Sequence, residues 1–140
     1  MYKTIIQNKQ MRFYRALRLV TALAALHSLI LGVFNWFFTT YWFTLLQMPI
    51  LGGYPFWPKQ SGAFLISLGF GYGIGVVIPR YQAASIWLIM LSKFVAILFL
   101  FPEFFSHGAP IAVLLAGLGD LFILIVVGAI AWKAYGCKDD

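Results

Sequence analysis

Four stretches of this chain are apolar for long enough to cross a bilayer, at residues 19–38, 62–78, 83–101 and 111–132. A spanning helix needs about 20 residues to cover a hydrocarbon core about 30 Å thick. With no water at that depth, each backbone N–H and C=O must be paired within the protein, so such runs fold as helices. Of the 140 residues, 62% are hydrophobic and 10% charged, a composition that excludes an ordinary soluble domain. The sequence shows no second domain, internal repeat or low-complexity segment.

The charges are distributed as a topology signal. Lys3, Lys9, Arg12, Arg15 and Arg18 precede the first span, Arg80 lies between the second and third, and Lys133 and Lys138 follow the fourth. Lys59 and Glu103 fall on the opposite side. This positive-inside pattern predicts that both termini are cytoplasmic, with a basic segment at 1–18, a four-span bundle at 19–132 and a tail at 133–140. The net charge of +6 therefore serves orientation and attraction to anionic lipid, and nucleic acid is not an expected partner. Arg12, Arg15 and Arg18, spaced by three, predict a short interfacial helix leading into the first span; as an ordinary positive flank they need no specific lipid site. No small-x-small cleavage site follows that span, so it is expected to stay uncleaved. The single cysteine, Cys137, excludes an intrachain disulfide and a CxxC redox pair.

Short links at 79–82 and 102–110 make consecutive spans antiparallel neighbours, giving an all-α, up-down four-helix bundle. The first link, residues 39–61, is long and holds one charge among Tyr41, Trp42, Tyr54, Phe56 and Trp57. Such a loop belongs in the membrane interface, turned by Pro49, Gly52, Gly53, Pro55 and Pro58, either as an anchor or as a lid over a cavity. The second span carries Gly62, Gly69, Gly71, Gly73 and Gly75. With no strand before them and no acidic residue about 20 positions on, they are no nucleotide fingerprint. They and Gly119 are predicted to line helix-packing faces.

Two charges remain inside the spans. Lys93 lies ten residues into the third, or ~15 Å, and Asp120 nine residues into the fourth, or ~14 Å. On adjacent antiparallel helices these depths coincide near the midplane. An isolated charge there costs about 2.5–3.5 kcal/mol or more, so a Lys93–Asp120 ion pair is expected. His27, ~12 Å into the first span, shares the layer. Asn35, Ser67, Tyr72 and Ser92 offer further hydrogen bonds. The layer reads either as a clamp that fixes helix pairing or as a ligand or proton-linked site.

Catalytic chemistry finds little support. No nucleophile and base, paired carboxylates or phosphate loop is present. His27 and His107 differ in depth by more than ~10 Å, too far to share a haem, and Glu103 with His107 supplies too few ligands for a specific metal site. No cofactor is predicted from the residues.

The proline and aromatic loop leading into FWPKQSGAFLISLGFGYGIG, the basic turn IPRYQ, the lysine in IMLSKFVAI and the stretch AGLGDLFILIVV together resemble the DoxX-like superfamily of small four-helix bacterial membrane proteins, over about residues 15–133. The resemblance implies a compact bundle in the bacterial inner membrane, with Gly62, Lys93, Gly119 and Asp120 at the family's polar points. Some members are subunits of quinone-linked sulfur oxidation or of membrane oxidoreductase assemblies, and many have no known activity. A quinone is the one cofactor the resemblance brings, while the lack of further cysteines argues against thiol redox chemistry. The expected function is that of an accessory or structural subunit of a larger, redox or quinone-associated membrane complex, with protein partners or a homo-oligomer. The alternative is a small-molecule or lipid-binding protein or transporter that uses the Lys93–Asp120 site.

Overall fold

A computed structural model describes residues 2–48, 50 and 55–136, with side chains from residue 11 onward. Among these the chain forms five α-helices: α1 Tyr2–Phe37, α2 Thr39–Leu45, α3 Phe56–Val77, α4 Gln82–His107 and α5 Ile111–Tyr135. A 3-10 turn at Pro79–Tyr81 joins α3 to α4. The helices α1, α3, α4 and α5 are long and apolar enough to span a membrane. They close a ring in which α1 packs on α3 and α5, and α4 on the same two. The Tyr14 and Tyr135 rings meet edge to face at 5.4 Å, and Lys133 Nζ lies 5.9 Å from the Phe13 ring centroid. The basic segment and the end of α5 thus share one end of the bundle.

The side chains are sorted as lipid requires. The buried core is slight, made of Leu17, Ala24, Ala25, Tyr72, Ile86, Ile89, Val127 and Ala134. Apart from Tyr72, most large rings point outward instead, with Trp132 78% and Trp87 71% exposed. Lipid tails are as apolar as leucine, so helices gain nothing by hiding such rings from them and associate through close packing and hydrogen bonds.

Glycine makes that closeness possible between α1 and α3. A Cβ added to Gly62 would sit 2.7 Å from the Trp36 backbone N and 2.8 Å from the Gly32 carbonyl, and one at Gly32 would meet the Gly62 carbonyl at 2.8 Å. The obstacles are backbone atoms and cannot rotate away. At the other end of α3, the Ser85 hydroxyl from α4 accepts from the Gly75 N–H at 3.0 Å and donates to the Gly71 carbonyl at 2.9 Å. A Cβ on Gly75 would lie 2.6 Å from that hydroxyl oxygen. Arg18 Nε donates to the Val76 carbonyl at 2.8 Å, supplying one of the partners that the last turn of α3 lacks.

Gly62→Ala should therefore lower stability by about 1–3 kcal/mol, the usual cost of forcing extra atoms into a packed contact. Gly73→Ala, with no atom within 4 Å of the added carbon, is the matched control and should unfold no earlier than the parent. Thermal unfolding of the two variants in one detergent compares them. Equal midpoints would mean that the helix contact at Gly62 is not tight.

Four boundaries or roles differ from the sequence expectation. The basic segment is no separate interfacial helix, because α1 runs unbroken for 36 residues, about 54 Å, and the first glycine or proline after its start is Gly32. The second spanning helix starts at Phe56 rather than 62, with Pro58 in its first turn, where an N–H has no helical partner to lose. The third passes through Pro102 and ends at His107. Proline removes one backbone bond there, whereas ending the helix at that depth would expose several. Gly108 then stops α4 in the left-handed conformation (φ 67°), and the Ala109 N–H reaches back to the Glu103 carbonyl at 3.2 Å. Finally, Gly73 and Gly119 face open space and are not packing contacts, while Gly69, Gly71 and Gly75 do meet neighbouring side chains.

Candidate ligand cavity

Lys93 on α4 and Asp120 on α5 meet at mid-bundle, Nζ to Oδ1 at 2.5 Å, and the residues are 5% and 9% exposed. Each offsets part of the other's desolvation cost, and the pair carries no net charge. His27 lies beside the pair, with its Nδ1 buried and lacking a hydrogen-bond partner. Next to this layer, fully buried Tyr72 bonds to Ser92, whose hydroxyl in turn donates to the Ile89 carbonyl at 3.0 Å. Ser67 turns back to its own helix, donating to the Ala63 carbonyl at 3.0 Å, and takes no part.

A cavity of about 640 Å³ opens from the ion pair toward α2. Its polar wall is Lys93, Asp120 and His27. Leu31 and Asn35 of α1, Phe64 and Leu65 of α3, Phe99 and Leu100 of α4, and Leu115 of α5 form the sides. The room comes from small residues: Ala96 on α4 and Ala112, Ala116 and Gly119 on α5. The latter three are spaced by four and three, so they share one face of α5 with Asp120 at its inner end. From Asp120 to Ala112 is eight residues, or ~12 Å of depth. The volume lies within the ~300–1,000 Å³ common for small-molecule sites, and an apolar lining with a few convergent polar groups is their usual chemistry.

The aromatic stretch divides between the cavity and the surface. Trp42 and Phe43 of α2 and Leu46 just past its end line the cavity with Met48, and the Trp42 ring rests 5.1 Å from Phe34 of α1. Tyr41, Phe56 and Trp57 are exposed, Trp57 by 74%, and suit an interfacial belt. Tyr54 and the turn residues Pro49, Gly52 and Gly53 lie outside the described residues. The helix α2 itself was not foreseen: TTYWFTL has only seven residues, too few for a periodic signal.

Two further polar groups enter the site. Asn35 Nδ2 donates to the Ser61 hydroxyl at 3.4 Å, and Ser61 donates to the Pro58 carbonyl at 2.7 Å. Asn35 Oδ1 is buried with no donor facing it. An acceptor left unpaired beside a cavity fits a ligand that carries an O–H or N–H. Glu103 and His107 stand apart on the exposed last turn of α4, Nδ1 to Oε2 at 3.6 Å, and no group of three or more His, Cys, Asp or Glu suited to a metal occurs among the described residues.

Comparison with protein-family models, with curated proteins and with solved structures yields no match to this chain.

Proposed function

We propose that this small integral membrane protein binds a neutral, mainly apolar molecule in the cavity beneath α2. The observation that carries the reading is the cavity of about 640 Å³, walled by all four spanning helices, with the Lys93–Asp120 pair and two unpartnered side-chain atoms at its polar positions. A neutral ion pair recognises hydrogen-bonding groups without demanding a charged ligand, and apolar walls suit a molecule that arrives through the lipid phase. With the basic end in the cytoplasm, as the positive-inside rule has it, the cavity occupies the opposite half of the bundle. The DoxX-like resemblance would place such a protein in the bacterial inner membrane.

Native mass spectrometry of the protein extracted in mild detergent, with visible absorption recorded on the same sample, tests this. The expected result is a particle of this chain alone that retains a small molecule at about one copy per chain. Stoichiometric partner chains with an empty cavity would replace the proposal with the subunit reading that the family resemblance suggests. An absorption band that follows the protein would identify the retained molecule as a chromophore such as a quinone.

A further inference from the structure

At the opposite, basic end of the bundle, a cleft of about 300 Å³ lies between α1 and the turn joining α3 to α4. We infer that it binds a phosphate-ester anion at headgroup depth. Tyr14, Arg15 and Arg18 form its α1 wall, with Gly75, Pro79 and Gln82 opposite. Arg18 spends its Nε on the Val76 carbonyl, which fixes the side chain and leaves its two terminal nitrogens to other acceptors. Arg15 is exposed, and the carboxylates among the described residues, Glu103 and Asp120, are paired elsewhere.

Gln82 distinguishes this cleft from a mere positive flank. It is 9% exposed, and its Nε2 is buried with no acceptor. Orientation by the positive-inside rule needs only charge, at any spacing, and has no use for a buried amide. Gln82 also opens α4, and its own backbone N–H is satisfied by the Pro79 carbonyl in the preceding turn, so its side-chain amide is the donor left over. Two guanidinium groups and an unpaired amide N–H call for a compact partner rich in acceptors. A phosphate group is that partner, and arginine forks match its geometry.

The test uses the full chain in neutral detergent at constant ionic strength. Thermal unfolding is followed with short-chain phosphatidylglycerol, with phosphatidylcholine of the same chains, and with inorganic phosphate against chloride. Phosphatidylglycerol should raise the midpoint by several degrees more than phosphatidylcholine. Gln82→Leu, which changes no charge, and Arg15→Gln should each weaken that preference about tenfold in lipid concentration, while Arg12→Gln, outside the cleft, should leave it intact. If inorganic phosphate gives the same shift, the site reads the free anion; if only the lipid does, it reads a headgroup with its chains. Equal responses to the two lipids, or an unchanged preference in Gln82→Leu, would overturn the inference. Should Gln82→Leu not fold, Arg15→Gln at its exposed position decides alone.

Discussion

Asp120→Leu is expected to remove most folded protein from the membrane fraction, and Lys93→Met to do the same. Each leaves an uncompensated charge where its partner stood, and breaking a buried pair from one side costs about 3–5 kcal/mol. At 1.4 kcal/mol per decade the lower figure is already a loss of about a hundredfold in the folded-to-unfolded ratio. The double variant Lys93→Met/Asp120→Leu exchanges the pair for apolar side chains of similar bulk, and such exchanges are often neutral or better. It should recover most of the monodisperse protein that each single change loses. Losses that simply add would mean that the two residues are not energetically coupled despite the 2.5 Å contact. The double variant also separates stability from binding, for it should fold while losing the polar wall that the cavity ligand needs.

That contact was legible in the sequence, and the reason is geometric. Depth in a bilayer depends only on residue count along a straight helix, so Lys93 and Asp120 could be brought to one level before any packing was known. Azimuth is different. Which way a residue faces around its helix depends on neighbours, and in lipid the outward face is as apolar as the inward one, leaving little amphipathic signal to read. Hence Gly62 was read correctly as a contact while its partner Gly32, and Gly117 against Phe101, went unnoticed, and Gly73 and Gly119 were assigned contacts they do not make. The same blindness left the cavity undecided, as one of two readings of the 39–61 link and of the polar layer. Ala112, Ala116 and Gly119 stood in the sequence at helical spacing beside Asp120, but small residues mark a close contact or a void equally well, and only the positions of α2 and α4 decide between them. The link at 39–61 was recognised as too apolar to hang in water, and its aromatic residues divide, with Trp42 lining the cavity and Trp57 exposed.

Gly119 turns that ambiguity into a test. A Cβ placed there meets nothing within 4 Å, and the position lines the cavity one residue before Asp120. Gly119→Leu should therefore be accommodated by the void, and replacing a mid-helix glycine favours the helix by roughly 0.5–1 kcal/mol. The expected variant is as stable as the parent or slightly more so, with its Lys93–Asp120 pair intact. Its side chain would occupy space that the ligand needs, so retention of the small molecule in native mass spectrometry should fall at least tenfold. Leucine at Gly119 and alanine at Gly62 thus move the two observables in opposite ways, the first losing ligand at constant stability and the second losing stability through the α1–α3 contact. A Gly119→Leu protein that unfolds early would show that no usable void exists beside Asp120. One that folds and still retains its ligand would place the binding site elsewhere, and the proposed function would fall with it.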